Sequence, residues 1–463
     1  MNIRNVIVFI GAACLIYLMT IIGSSCAQIG APTGGPRDTL PPILIDASPP
    51  NNTTNFQGDR ITLTFDEYIQ LQNVQQNLLV SPNPRIVPNV NYKLKEVSIK
   101  LRDTLEPNTT YSIDFGNSIQ DINENNPYRN FSYVFSTGSY IDSLEFSGNV
   151  LIAETGKADS TLIVLLYKDL DDSAVLKNKP RYIARLDAKG NFKFKNLAGG
   201  SYNVFALKDE SGQKYYNNKT GLFAFADSAI QVSSDSASIN LFAYAEEKPA
   251  VTANTTSTGS ADKVLKVTSS LSSGTQDILT PLTLSFNNKL KDFDSAKILL
   301  TDTLDNPYKP ITVELDSTGK KIIIVNKWQD NFSYKLVIPV DFATDTLGTA
   351  LLKADTILFK TKKESDYGTL KLNFTNLEKF VHPVLQFVTN NEIVNSYLLA
   401  SSKFSIALIS PGDYDLRILD DTNQNGIWDT GSYELKKQPE KVYSFPQKIN
   451  IRANWDNEKD IAL

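Results

Sequence analysis

The chain reads as all-β, built as a string of sandwich domains, on three observations. Short runs alternate apolar and polar residues, as in Ile61-Thr62-Leu63-Thr64-Phe65, Val97-Ser98-Ile99-Lys100-Leu101 and Tyr111-Ser112-Ile113-Asp114-Phe115. That is the period-two pattern of half-buried strands. Clusters of Asn, Gly, Pro and Asp separate the runs, and no amphipathic helix interrupts them after Pro41. The runs also recur in a fixed order, and this divides the 463 residues into repeated pairs of domains.

Residues 1–25 have the layout of an export signal, with Arg4 ahead of an apolar run from Val6 to Ile22 and then Gly23-Ser24-Ser25-Cys26. A small-residue site directly before a cysteine resembles the bacterial lipobox, with Gly23 standing where Leu is usual. The resemblance implies cleavage before Cys26 and lipid on that residue. An uncleaved membrane anchor is the competing reading, since the apolar run sits at the short end of the ~17–25 residues that span a bilayer. Residues 26–40 carry Ala31-Pro32-Thr33-Gly34-Gly35-Pro36 and read as a flexible tether.

Residues 41–138 form a first unit, A, and residues 263–363 repeat it as A′. Ile61-Thr62-Leu63-Thr64-Phe65 returns as Leu282-Thr283-Leu284-Ser285-Phe286, and Val134-Phe135-Ser136-Thr137 as Leu358-Phe359-Lys360-Thr361. Residues 139–245 form a second kind of unit, B, repeated at 364–463 as B′. Phe192, Leu197, Gly200, Tyr202 and Asp209 match Phe404, Ile409, Gly412, Tyr414 and Asp421 at a constant offset of 212. The order is A-B-A′-B′. Residues 246–262, rich in Thr, Ser, Ala and Gly, read as the linker between the halves.

On Pro42 to Pro50, Leu63-Thr64-Phe65-Asp66-Glu67 and Phe135-Ser136-Thr137, the A units resemble the bacterial Ig-like domain of S-layer-type and Bacteroidetes envelope proteins. On Gly190-Asn191-Phe192-Lys193-Phe194 and Leu197 to Tyr202, the B units resemble the transthyretin-like, or carboxypeptidase-regulatory-like, sandwich. Cys26 to Pro42 is similar to the start of Bacteroidetes outer-membrane lipoproteins that carry this Ig-like unit. These resemblances imply sandwich folds and an envelope setting, and say little about activity.

Composition narrows the chemistry. One histidine, His382, and two cysteines, Cys14 and Cys26, cannot build a Ser-His-Asp triad, a multi-His centre or a structural zinc site. A net charge of -5 without a basic block speaks against nucleic acid as a partner. In Asp66-Glu67 and elsewhere, no carboxylate pair is singled out for hydrolysis.

Two motifs stand out locally. Asp421, Asn423, Asn425 and Asp429 place oxygens at positions 1, 3, 5 and 9 of a loop with Gly426 at position 6. This spacing suits a hard cation such as calcium, although the bidentate Glu expected at position 12 is replaced by Ser432 and Glu434 stands two residues late. An Asx-rich turn without metal explains the same residues. Asp followed by Ser or Thr and a small or apolar residue also recurs, with hydroxyls at Thr104, Ser143, Ser173, Ser228, Ser236, Ser295, Thr303, Thr346 and Thr356. The triplet resembles the O-glycosylation acceptor of Bacteroidetes envelope proteins. Turn chemistry competes with that reading too.

The functional expectation is therefore a non-catalytic, lipid-anchored protein that needs no cofactor. It would be held at the outer membrane through Cys26 and act as a spacer or as an adaptor for envelope protein partners. Surface lipoproteins of the group it resembles often carry acids just after the cysteine, and here the first acid after Cys26 is Asp38, so the resemblance leans slightly to the periplasmic face. The alternative is a glycan-binding surface lipoprotein, for which Trp328, Trp428 and Trp455 are the aromatic candidates.

Overall fold

The computed structural model describes residues 10–17, 37–234, 238–248, 264–308 and 311–463. Cys26, Ser236 and most of the 246–262 linker fall outside the described residues. Residues 10–17 are helical. Among the described residues no helix is long and apolar enough to cross a membrane. The rest is strand and turn apart from single helical turns such as Val74–Asn77 and Ala174–Lys177, so the all-β expectation holds. The chain divides into two units, Met1–Val80 with Pro84–Tyr140, and Ser81–Asn83 with Ile141–Leu463.

The first unit contains the A sandwich. One sheet runs in the order Leu44–Ser48, Arg60–Phe65, Glu96–Lys100, Asn89–Lys93, and the other joins Leu79–Ser81, Thr110–Asp114 and Ser132–Ser136. Alternation decides the inward face: Ile61, Leu63 and Phe65 are fully buried against Ile113, Tyr133 and Phe135. The last residues of the expected tether are held here rather than free. Arg37 Nη2 donates to Glu124 O at 3.3 Å and Asn126 Nδ2 to Asp38 O at 3.1 Å.

Residues 267–361, in the second unit, repeat this strand order: Val267–Ser269, Leu282–Phe286, Lys321–Val325 and Thr312–Leu315 in one sheet, and Leu299–Asp302, Ser333–Ile338 and Asp355–Thr361 in the other. The recurring residues do equivalent work. Tyr111 and Tyr334 each accept, on the hydroxyl, the N–H of the residue five earlier, Glu106 and Gln329. Thr137 and Thr361 each donate a hydroxyl to the carbonyl of that same earlier residue. Asp121 and Asp345, both fully buried, each gather loop N–H groups.

The B and B′ sandwiches match each other in the same way. In both, the first strand is central in a three-stranded sheet and pairs in parallel with the last: Leu144–Ile152 with Ile239–Ala243, and Gly368–Thr375 with Asp456–Ala462. Tyr202 and Tyr414 donate their hydroxyls to the carbonyl four residues earlier, Ala198 and Ser410, at 3.0 and 2.8 Å. Gly200 and Gly412 take φ of +142° and +152°, a backbone that only glycine adopts without strain. The shared Gly-x-Tyr is thus a structural corner.

A′ and B′ are joined through a polar knot. Asp277 accepts from Lys362 Nζ at 2.8 Å, from the Tyr367 hydroxyl at 2.7 Å and from Leu279 N–H at 2.9 Å. Burial pushes the Asp277 carboxyl up, but these three donors outweigh it and hold the group below its usual range. A depressed carboxylate stabilises the fold above the unfolded-state pKa and loses that contribution as pH falls through the folded one. Asp277→Asn is therefore expected to lose about 2 kcal/mol at pH 7. The gap from the parent should begin to narrow below about pH 4, where the unfolded carboxyl protonates, and close only as pH falls through the lower folded pKa. Urea unfolding at pH 7 and pH 3 checks this.

The larger unit departs from a simple string of beads, because B and B′ pack on each other across the intervening A′. From B′, the segment 430–438 lays Tyr433 among Phe205, Tyr216, Phe223 and Phe225 of B, with ring centroids 5.1–6.2 Å apart and edge-to-face. The Tyr433 hydroxyl donates to Asp172 O at 2.7 Å and its N–H to Glu246 Oε1 at 2.7 Å. The side chain of Glu246, the expected first residue of the linker, is thus buried at this junction, with Lys219 3.6 Å away. Burial raises the pKa of the Tyr216 and Tyr244 hydroxyls, and the Glu246 carboxylate beside them adds to the effect. From B, the turn 153–157 lies on the outer face of the B′ sheet. Ala153 O accepts Val442 N–H at 3.0 Å, and Glu154 O accepts from the buried Arg417 at 3.3 Å.

Candidate functional site

The Asp421 loop hangs from the end of the Gly412–Asp420 strand and leads into the segment that docks on B. Asp421 is 2% exposed, and its two carboxylate oxygens accept Asn425 N–H at 3.2 Å and Gly426 N–H at 2.7 Å. The side-chain amides of Asn423 and Asn425 both donate to Asp429 Oδ2, that of Asn425 at 2.9 Å. The four residues singled out by spacing are therefore brought together. Gln424 and Gly426 give the loop its curl, with φ of +62° and +78°.

A fifth residue, Glu440, completes the loop, and the sequence reading missed it. It is 6% exposed; Oε1 accepts Thr422 N–H and the Thr422 hydroxyl, both at 2.8 Å, and Oε2 accepts Asp429 N–H at 3.1 Å. Trp428 donates its indole N–H to Glu440 O at 2.8 Å. Ser432, at the expected twelfth position, instead pairs with Lys437. The carboxylate that closes the loop lies 19 residues after Asp421, outside any local spacing rule. Among the described residues no group of three or more His, Cys, Asp or Glu is placed to hold a metal ion. In B, the matching Asp209 accepts Lys214 N–H at 3.0 Å and lacks the asparagines.

The other candidates are dispersed. Asp66 accepts Ile43 N–H at 2.7 Å. Glu67 has its pKa raised, first by burial and then by the nearby charges of Asp121, Asp66, Asp38 and Glu124. His382 gives its backbone carbonyl to Asp421 N–H, which ties it to the loop's frame. Trp328 plugs the A′ core, donating to Thr280 O at 3.0 Å. Trp428 covers Val384, Leu419 and Val442. Trp455 is exposed, with Arg452 5.2 Å from its ring. The three tryptophans thus do not form one stacking surface.

Of the hydroxyls in the Asp-Ser/Thr triplets, Thr104, Ser143, Ser228, Ser295, Thr303, Thr346 and Thr356 are exposed and Ser173 is half-buried. In several triplets the Asp carboxylate accepts the N–H two residues on: Asp294 from Ala296, Asp302 from Leu304 and Asp345 from Leu347. These are Asx turns that lead the chain into or between strands. They account for much of the recurrence.

A cleft of about 460 Å³ opens at the B–B′ junction, lined by residues including Asp172, Phe205, Phe225, Asp227, Tyr433 and Lys436. Lys436 lies 3.8 Å from the Tyr433 ring and 2.8 Å from Asp172, so the aromatic floor is roofed by a paired cation.

No curated protein sequence matches the chain. Among solved structures, the Bacillus anthracis TIE protein aligns over 93% of this chain and 75% of its own, at 12% identity and a TM-score of 0.18. An Escherichia coli alpha-2-macroglobulin fragment covering domains MG0-NIE-MG1 aligns over 40% of this chain and 73% of its own, at 15% identity and a TM-score of 0.21. BcpA, the major pilin subunit of Bacillus cereus, aligns over 69% and 99%, at 10% identity and a TM-score of 0.16. Residues 38–137, which coincide with the A sandwich, match the family described as the bacterial Ig-like domain.

Proposed function

We propose that the protein is a non-catalytic envelope component, anchored by lipid on Cys26 at the outer membrane and acting as an adaptor that holds other proteins. The observation that carries this reading is the mutual docking of B and B′. It makes one body of three sandwiches and presents their loops and edges in fixed positions, as a scaffold requires. The repeated motifs are consistent with it, since their Tyr, Thr, Asp and Gly residues are engaged in corners and loop caps. The periplasmic face is the side we favour, on the late first acid, Asp38. Glycan capture has less support, because Trp328 and Trp428 are spent on packing.

The test is acylation. Metabolic labelling with palmitate should mark the parent chain and leave Cys26→Ala unlabelled, and blocking signal cleavage with globomycin should accumulate a precursor that keeps the residues before Cys26. A parent chain that takes no label and keeps those residues would point to the uncleaved anchor instead.

A further inference from the structure

We propose that the Glu392–Leu398 strand of B′ is the edge on which a partner protein docks, adding an extended strand of alternating apolar residues. The inference rests on the adaptor reading and names its surface. This strand is the outermost of the B′ sheet, hydrogen-bonded on one side only, to Pro383–Thr389. Six of its seven residues are exposed, including Ile393 at 50%, Val394 at 49% and Leu398 at 68%. A row of unpaired backbone groups of this kind is a template for another strand. Protection of the edge is slight: the strand holds no Lys and no Pro, Glu392 at its start is its one charge, and its one irregularity is a register shift at Val394.

The face it carries continues an interface that already exists. Cross-strand partners share a face. Leu398 pairs with Val384, and Val384 with Leu419, which pairs with Val442; Ile393 pairs with Val388, which pairs with Asp415. Val442 and Asp415 meet the 153–157 turn of B, through Ala153 O and Lys157. Val384, Val388, Leu419 and Val442 are each buried. The apolar row is thus covered by chain across three strands and bare on the fourth. The topological counterpart in B, Tyr182–Arg185, also an edge strand, has Tyr182, Ile183 and Ala184 buried at 2–4% exposure. A partner strand would set apolar side chains over Ile393 and Leu398 and a basic residue opposite Glu392, its backbone satisfying the free edge.

Hydrogen exchange on the full chain tests this, comparing the purified protein with its native membrane complex. Amides of residues 392–398 should exchange about tenfold more slowly in the complex. Ile393→Lys with Val394→Lys, or Leu398→Lys alone, should abolish that protection and release the partner while the thermal midpoint of the purified chain is unchanged. Equal exchange in both states overturns the proposal. So does protection in the purified chain that grows with concentration, which would assign the edge to a second copy. If the Lys variants still retain a partner, the edge assignment falls and the adaptor reading stands. If native membranes yield no partner at all, both fall.

Discussion

Tyr433→Ala should destabilise the larger unit by about 3–5 kcal/mol, the range for emptying a buried aromatic site. The side chain is 7% exposed and sits among four aromatic rings of another sandwich. Its removal opens a cavity that the segment 430–438 cannot fill, because Gly431 is already pressed against Tyr244 and Lys437 O. Tyr433→Phe keeps the ring and removes only the bond to Asp172 O, at a cost of about 1 kcal/mol. The contrast separates packing from hydrogen bonding. Urea unfolding gives the energies, and proteolysis within 430–441 reports undocking. A Tyr433→Ala chain with parent-like stability and protease resistance would show that the junction contributes little.

That junction marks where sequence reading ended. The strands were legible because each sandwich buries one face, so Ile61, Leu63 and Phe65 alternate with polar neighbours. The repeats were legible because each corner has a fixed chemical solution: Gly200-Ser201-Tyr202 and Gly412-Asp413-Tyr414 solve the same turn. The same fact limits functional reading. Tyr111, Thr137, Asp121 and their counterparts Tyr334, Thr361 and Asp345 recur because the fold uses them, so they mark the sandwich and not an activity. The Asp421 loop was half legible. Its local ligand-type residues showed in the spacing, while Glu440 arrives from after the docking segment and carries no local signal. Tyr433 was invisible for a related reason. An aromatic residue in a polar, Lys-rich stretch acquires meaning only once Phe205 and Phe225 of B form the pocket it enters. The covered and bare edges of the B′ sheet likewise depend on which domain packs where. Alternation along Glu392–Leu398 cannot report that.

Gly156→Val should break the same junction from the opposite side. Gly156 has φ +65°, and a Cβ there would stand 2.4 Å from Val442 O and 2.8 Å from Ser444 N. Both obstacles are backbone of the neighbouring sandwich, so no side chain can swing away. A β-branched residue in the left-handed region also costs about 1–3 kcal/mol by itself. Overpacking of this kind adds a similar amount, so the variant should lose about 3 kcal/mol or more in urea unfolding. Gly156→Ala should fall between it and the parent. The decisive measurement is the double variant with Tyr433→Ala. The two residues share no direct contact, and for independent sites the losses would add within about 0.5 kcal/mol. If each acts by undocking B from B′, the second substitution finds the junction already open, and the double variant should lose markedly less than the sum. Strict additivity would mean that B and B′ are stabilised separately at the two points, and the single-body scaffold would lose its physical basis.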